Sequence, residues 1–427
     1  MTAFLIIGAL LALICLGVPI AVALGFVAAA TYAVLGETFV LTMFAQRMIS
    51  ATTGFTLLAI PFFILAGNLM NTGGITDRIF RFANALVAHI SGGLAQVNIM
   101  ASLIFAGMSG TAVADAAGLG QVEIKAMKDA GFDDRFSAAV TAASSTIGPV
   151  FPPSVPLVIF GGLTGVSVVQ LFLAGIVPGL LMTAALMGAV YVISRRRGYP
   201  VSKRAGLGHL GRTFMGALLP LLSPAIIIGG AIGGLFTPTE AGVVASIYTL
   251  ILGLFIYREI TFRDLPGIFW TTIVQSVRVL FIIAAAGFFG WLLVHKRVPD
   301  SLIAGLLSLS SEAVIIIAMI TFILIVLGLF LEGVAVIVIT VPLLLPVVTQ
   351  IGMDPVQFGL LMIMCSMIGL LTPPVGMVLF AVSGVSGVRV SELVKELWPL
   401  LIALFIVTLL VAYVPAISVW LPTVLVR

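Results

Sequence analysis

The sequence predicts an all-α polytopic membrane protein built as two inverted repeats, each with a broken re-entrant hairpin. Three observations predict it. First, the 427 residues are 61% hydrophobic and 8% charged, against about 25% charged in soluble domains, and the mean hydropathy is +1.29. The apolar residues form long continuous runs, unlike the short alternating segments of a membrane barrel, so the spans are helices. Second, residues 144–156, SSTIGPVFPPSVP, interrupt an apolar region with prolines, serines, a threonine and a glycine. Pro152 and Pro153 remove two backbone donors, and Pro152 pushes Phe151 out of the helical region. Within a bilayer such backbone is tolerated only where it is buried in protein or lines a wet cavity. Third, the interruption returns at residues 366–376, SMIGLLTPPVG. Ser145, Ile147, Gly148, Pro152 and Pro153 match Ser366, Ile368, Gly369, Pro373 and Pro374, each 221 positions on (366 − 145 and 374 − 153). The offset holds upstream: Gly131 and Asp133 match Gly352 and Asp354, and Gly107, Val113 and Ala114 match Gly328, Val334 and Ala335.

The elements follow in order. Residues 4–16 and 20–35 are apolar runs split by Gly17 and Pro19, read as one broken span or two short ones. Residues 41–53, with Gln46 and Arg47, form an interfacial helix. Residues 55–69 make a span containing Pro61, and residues 77–90, with Arg78 and Arg81, lie along the interface. Residues 94–107 are a span interrupted by the small, polar stretch 107–115, GMSGTAVAD. Residues 134–161 are the first broken hairpin, and 168–193 form a span of the length a bilayer requires. Residues 195–204, RRRGYPVSKR, are the densest basic stretch and are placed in the cytoplasm. They end the first repeat, 1–204. Inverted repeats would put both termini on the opposite side.

In the second repeat, 205–427, residues 215–236 are a span, and TPTEA at 237–241 starts the next, 242–257. Residues 261–277 read as interfacial and 279–294 as a span. Residues 314–331 form a span interrupted at Glu332 and Gly333, and 334–345 continue apolar to Pro346. Residues 355–385 are the second broken hairpin, and 398–413 the last clear span.

Several function classes fall away. The net charge of +4 marks loops and does not point to nucleic acid. Cys15 and Cys365 read as small buried hydrophobes. His89, His209 and His295 have no metal-ligand spacing. The first basic residue is Arg47, so no cleavable signal peptide is expected. Hydrolase, metalloprotease and P-loop motifs are absent, so coupling is expected from an ion gradient and not from ATP.

The broken stretches carry the chemistry. A helix that stops at Ser144–Gly148 leaves free carbonyls and the negative end of its dipole, and its hydroxyls add oxygens suited to a hard cation. A helix restarting at Pro152–Pro153 presents N–H groups and a positive end to an anion. One tip can hold cation and anionic substrate side by side. Prolines that merely kink packed helices are the competing reading. The interruptions 107–115 and 328–336 are placed to complete each cation shell through Ser109, Gly110, Thr111, Glu332 and Gly333. Asp115 and Glu332 are functional candidates as carboxylates near spans, or interfacial groups paired with a loop cation. Glu240 is a candidate for the same role or for helix-start chemistry.

SSTIGPVFPPSVP, GMSGTAVADAAGLG, GLFTPTEAGVVASIYTL and MIGLLTPPVGMVLF together resemble the large membrane subunit of tripartite ATP-independent periplasmic (TRAP) transporters, over essentially the whole chain. The resemblance implies an elevator-type, Na⁺-coupled importer of organic acids, C4-dicarboxylates or sialic acid, in the bacterial inner membrane. It implies a scaffold, with arms at 41–53 and 261–277, and a moving transport domain. It also implies two partners, a small four-helix membrane subunit and a soluble periplasmic binding protein. The chain begins directly with the large subunit, so the small one is expected as a separate polypeptide. Substrate contacts are then expected at Ser144, Pro152, Pro153, Ser154, Thr372, Pro373, Pro374 and Gly376. Na⁺ ligands are expected among Ser109, Gly110, Thr111, Ser145, Thr146, Gly148, Gly328, Glu332, Gly333, Ser366, Gly369 and Thr372. A self-sufficient Na⁺/dicarboxylate symporter and an anion channel are the alternatives. An enzyme lacks any nucleophile–base constellation.

Overall fold

The computed structural model describes residues 2–106, 111–310 and 312–426, and all regular structure among them is helical. The first half begins with α1 (Thr2–Cys15) and α2 (Ile20–Val34). They part at Gly17, whose φ of +84° suits glycine, and at Pro19. Two 3₁₀ turns, Thr38–Met43 and Phe55–Leu58, lead into α3 (Phe44–Thr52) and α4 (Ala59–Thr72). Then come α5 (Ile75–Val87), α6 (Gly93–Ile104), α7 (Ala112–Asp129), α8 (Asp134–Ser144), α9 (Val155–Thr164) and α10 (Val168–Arg197).

The second half has α11 (Leu207–Ile232), α12 (Pro238–Ile251), which ends in a π turn, and α13 (Leu265–His295). It continues with α14 (Val298–Leu309), α15 (Ala313–Phe330), α16 (Gly333–Gln350), α17 (Pro355–Leu370), α18 (Met377–Ser386), α19 (Val390–Tyr413) and α20 (Ala416–Leu425). Eight helical segments among the described residues are long and apolar enough to cross a membrane. Large apolar side chains such as Phe26, Phe255, Trp270 and Phe322 lie on the outside, as a lipid-facing surface requires.

The repeat is visible as geometry. α7 and α16 have the same length and sit 221 residues apart at both ends (333 − 112 and 350 − 129). The matched Gly131 and Gly352 both have left-handed φ, and the matched Asp133 and Asp354 cap α8 and α17. Both proline pairs are joined by cis peptides. After the breaks the offset becomes 222, as the starts of α9 and α18 show (377 − 155).

The hairpins are not where the sequence placed them. α6 and α7 lie side by side, as do α15 and α16. These pairs are the hairpins: α6 ends at Ile104 and α7 starts at Ala112, while residues 331–332 join α15 to α16. By contrast α8 packs on α19, α7 and α18, while α9 packs on α16, α10 and α17. The stretches 134–161 and 355–385 are therefore interrupted helices that carry on past the break and do not fold back. Because α8 neighbours α18 and α9 neighbours α17, the two run in opposite senses, and Phe160 of α9 meets Phe358 of α17 at 6.2 Å. That antiparallel crossing is what inverted repeats demand.

Three further expectations change. Residues 261–277 and 279–294 join in one continuous helix, α13. α14 and α20 occupy stretches to which no element was assigned. Cys15 is exposed, while Cys365 is buried. Glu240 resolves as helix-start chemistry: its Oε2 accepts from the Thr237 N–H at 2.8 Å, and its own N–H donates to the Thr237 hydroxyl.

The helices pack as two sets joined by the contacts of α5 with α6, α13 with α16 and α4 with α9. α4 packs on α12 and α13, α13 on α2 and α3, and α11 on α5 and α12. The Ser246 hydroxyl donates to the Phe62 carbonyl at 2.8 Å across the α4–α12 contact. The second group contains both hairpins and both interrupted helices, with α10 and α19.

Candidate functional site

The first break starts where Ser145 and Thr146 turn their hydroxyls onto the carbonyls of Ala142 and Ala143, at 2.9 and 2.6 Å. Such local bonds compete with helix continuation, and Pro149 then forbids it. The second half has Met367 and Leu370 at the positions of Thr146 and Pro149. Accordingly α17 runs a turn further than α8 and stops at Leu370. Ser366 and Gly369, expected within the second break, lie inside α17. The Ser366 hydroxyl donates to the Met362 carbonyl at 2.8 Å, and that of Thr372, past the helix end, to the Ile368 carbonyl at 2.7 Å. In every case the hydroxyl proton is spent on backbone, which leaves the oxygen lone pairs to face other ligands. Among the described residues, the carbonyls of Ser145, Thr146 and Gly148 accept no backbone hydrogen bond.

The helices restart later than expected, at Val155 and Met377 and not at the proline pairs. The N-terminal donors belong to those first turns. Ser154 caps α9 and accepts from the Leu157 N–H, so it is committed to the helix start. Gly376 takes up the N-cap of α18 with φ +59°. The two proline pairs also differ in surroundings. Pro152 packs beside Gly175 of α10, and Pro153 lines a cavity of about 10 Å³ with α4 and α11. Both are buried, whereas Pro373 and Pro374 are exposed. Pro152 and Pro153 therefore wedge the first break against its neighbours and do not face the second.

The two halves meet at a second cavity, also of about 10 Å³. Thr111–Val113 from the first hairpin and Glu332–Val334 from the second line it. Pro149 of the first break, Pro156 of α9, and Met367 and Leu370 of α17 complete it. Thr111 caps α7, accepting from the Ala114 N–H at 3.2 Å. Glu332 is half-buried and has no ion pair among the described residues. Gly328 is in backbone contact with Gly369 and lies against Ser366, and Gly333 faces Met367 and Ser366. In the first half the Asp115 carboxylate abuts Gly148: a Cβ there would lie 2.6 Å from Oδ2. Ser109 and Gly110 lie outside the described residues.

One group escaped the sequence reading. Asn98 of α6, fully buried, donates to the Thr141 hydroxyl at 2.7 Å and accepts from the Ser144 hydroxyl at 2.6 Å. Ser144 is thereby tied to the first hairpin. An Asn within a mostly apolar 12-residue helix was the available signal. At the 221 offset the same three positions are Met319, Met362 and Cys365, so this polar clamp exists in the first half alone.

Two hairpins and two interrupted helices thus converge on one point. The sequence profile described as "Tripartite ATP-independent periplasmic transporter, DctM component" matches residues 7–417. The chain belongs to the DctM family of TRAP transporters. It is the large permease of such a transporter, a multi-pass membrane protein and not an enzyme. It is 45% identical to the sialic acid TRAP transporter large permease SiaM of Vibrio cholerae, over 96% of each chain. It is 36% identical to the C4-dicarboxylate TRAP transporter large permease DctM of Pseudomonas aeruginosa, over 88% of each. The crystal structure of the Alcanivorax borkumensis YdaH transporter shares the fold of this DctM-family chain, with a TM-score of 0.66 at 14% identity over 88% of each chain.

Proposed function

We propose that this permease imports an organic acid, sialic acid or a C4-dicarboxylate, coupled to Na⁺ and delivered by a periplasmic binding protein. It works in the bacterial inner membrane with a small membrane subunit. The observation that carries this reading is the convergence of both hairpin ends, Pro149 of the first break and the end of α17 on one cavity, with Thr111 and Glu332 in its lining. Hydroxyl oxygens and unpaired carbonyls suit a hard monovalent cation, and the first turns of α9 and α18 suit a carboxylate. The cavity is far smaller than the roughly 300 Å³ an organic ligand needs, so substrate enters only when the site opens. Exposed, interrupted backbone at Pro373–Pro374 belongs beside water and not lipid, which favours the second break as the entrance. The halves 1–204 and 205–427 supply one cation cradle each. The group holding hairpins and breaks slides past the α2–α4 and α11–α13 scaffold.

The test is uptake into proteoliposomes holding the chain with its small subunit. Labelled sialic acid or succinate is offered with and without an inward Na⁺ gradient and purified binding protein. Uptake that needs both is the expected result. Uptake with Na⁺ but without binding protein would point instead to a self-sufficient symporter. Flux indifferent to Na⁺ would mark a channel and sink the coupling mechanism.

A further inference from the structure

Glu123 is a carboxyl that nothing in the proposed cycle uses. It sits on α7, the second arm of the first hairpin, and is 3% exposed. Its Oε1 has no hydrogen-bond partner among the described residues, and no ion pair reaches it. The helices packed on α7 offer no countercharge. α6 and α18 carry no titratable residue. α8 carries only Asp134 and Arg135, in its first turn, and these pair with Lys128 at 3.2 Å and Glu392 at 3.3 Å. On α7 itself, Lys125 and Asp129 are exposed, Lys128 is committed to Asp134 and the Ser386 carbonyl, and Asp115 lies two turns away beside Gly148.

The repeat shows that packing alone does not require an acid there. The matching residue of the second hairpin, 221 positions on, is Leu344, also 3% exposed. The first half places a carboxyl where the fold is content with a leucine. An ionised carboxylate without a partner in such surroundings costs several kcal/mol, and the neutral acid far less. Water is near: Lys128 is five residues on, about 7.5 Å along the helix, at the end where Arg197 meets Glu396 at 2.8 Å beside the basic connection. At its other end α7 begins at the central cavity with Ala112.

We propose that Glu123 is a proton-binding site of the first hairpin, linking the pH on the basic-loop side of the membrane to the position of α7. With the proton bound, α7 stays packed on α8 and α18. Losing the proton to water leaves a carboxylate that favours parting of these helices, and the hairpin end moves with them. The packed form is thus favoured at low pH and lost as pH rises.

Infrared titration of the purified permease in nanodiscs tests this. The wild type is expected to show a protonated-carboxyl C=O band at neutral pH that Glu123→Gln lacks. In proteoliposomes under a fixed Na⁺ gradient, wild-type uptake should rise several-fold as pH on the basic-loop side increases, and Glu123→Gln should be flat. Glu123→Leu, borrowing the residue of the other repeat, serves as the silent variant if glutamine disturbs folding. The same infrared band in variant and wild type, or the same pH profile, would overturn the proposal. The infrared readout needs neither substrate nor Na⁺, so its result is independent of the transport reading.

Discussion

The Asn98 amide ties the first hairpin to the interrupted helix through two hydroxyls, both buried. Asn98→Ala would leave the Thr141 hydroxyl without its donor, at a cost of about 1–3 kcal/mol, while the Ser144 hydroxyl falls back on its 3.2 Å bond to the Thr141 carbonyl. The expected outcome is a lower melting temperature in detergent and a several-fold higher Na⁺ concentration for half-maximal uptake. The second half, with methionines and a cysteine at these positions, has no such clamp, so loosening at Asn98 acts on the first cradle alone. An unchanged Na⁺ activation curve would remove the clamp from the mechanism. Asn98 also shows what sequence reading at this scale passes over. Paired motifs at 221 drew attention to positions that repeat, and this one does not. Gly369 does repeat and so was singled out, as a cation ligand; the structure places it inside α17 with the backbone of Gly328 against it.

Helix boundaries depend on which residues compete for backbone hydrogen bonds, and the two breaks differ for that reason. Thr146 and Pro149 stop α8 at Ser144, while Met367 and Leu370 let α17 run on. Pro149→Leu, copying the second repeat, is expected to lengthen α8 by about one turn. The Ser145 carbonyl would then gain the N–H that proline denies it, and it would be a poorer cation ligand. Uptake should fall by about tenfold or more, with helix content by circular dichroism unchanged or slightly higher. Full uptake with an ordinary Na⁺ dependence would argue against the Ser145–Gly148 carbonyls as ligands. The interruptions themselves were plain in the sequence, because proline pairs and glycines mark them whatever the tertiary context. Whether the chain folds back after a break was not plain, since no local residue decides it. Neighbouring helices do, and α8 and α9 have different ones. The join of 261–277 with the following span into α13 is likewise a tertiary outcome. Arg278 interrupts the hydropathy there but not the helix.

The molecule as a whole divides into a group around α4, α12 and α13 and a group holding the site, and the transport reading requires one to slide past the other. Their boundary includes α9 and the 3₁₀ turn before α4. A Cβ on Gly162 would lie 3.9 Å from the Cβ of Thr56, within the roughly 3.5–4.5 Å that a disulfide spans. The nearer neighbour is the tip of the Leu57 side chain, at 2.7 Å, which can rotate aside. Thr56→Cys with Gly162→Cys, in a background of Cys15→Ser because that thiol is exposed, should therefore cross-link on mild oxidation. If the groups slide, the cross-link abolishes uptake and a reductant restores it, while either single cysteine leaves uptake near normal. In the proposed sliding motion the two interrupted helices, which cross antiparallel, travel together, so a pin at α9 is expected to stop both, with no residual uptake through the second half. Uptake that survives complete cross-linking, verified by a gel shift, would mean that access alternates by local opening of the hairpins against a stationary core.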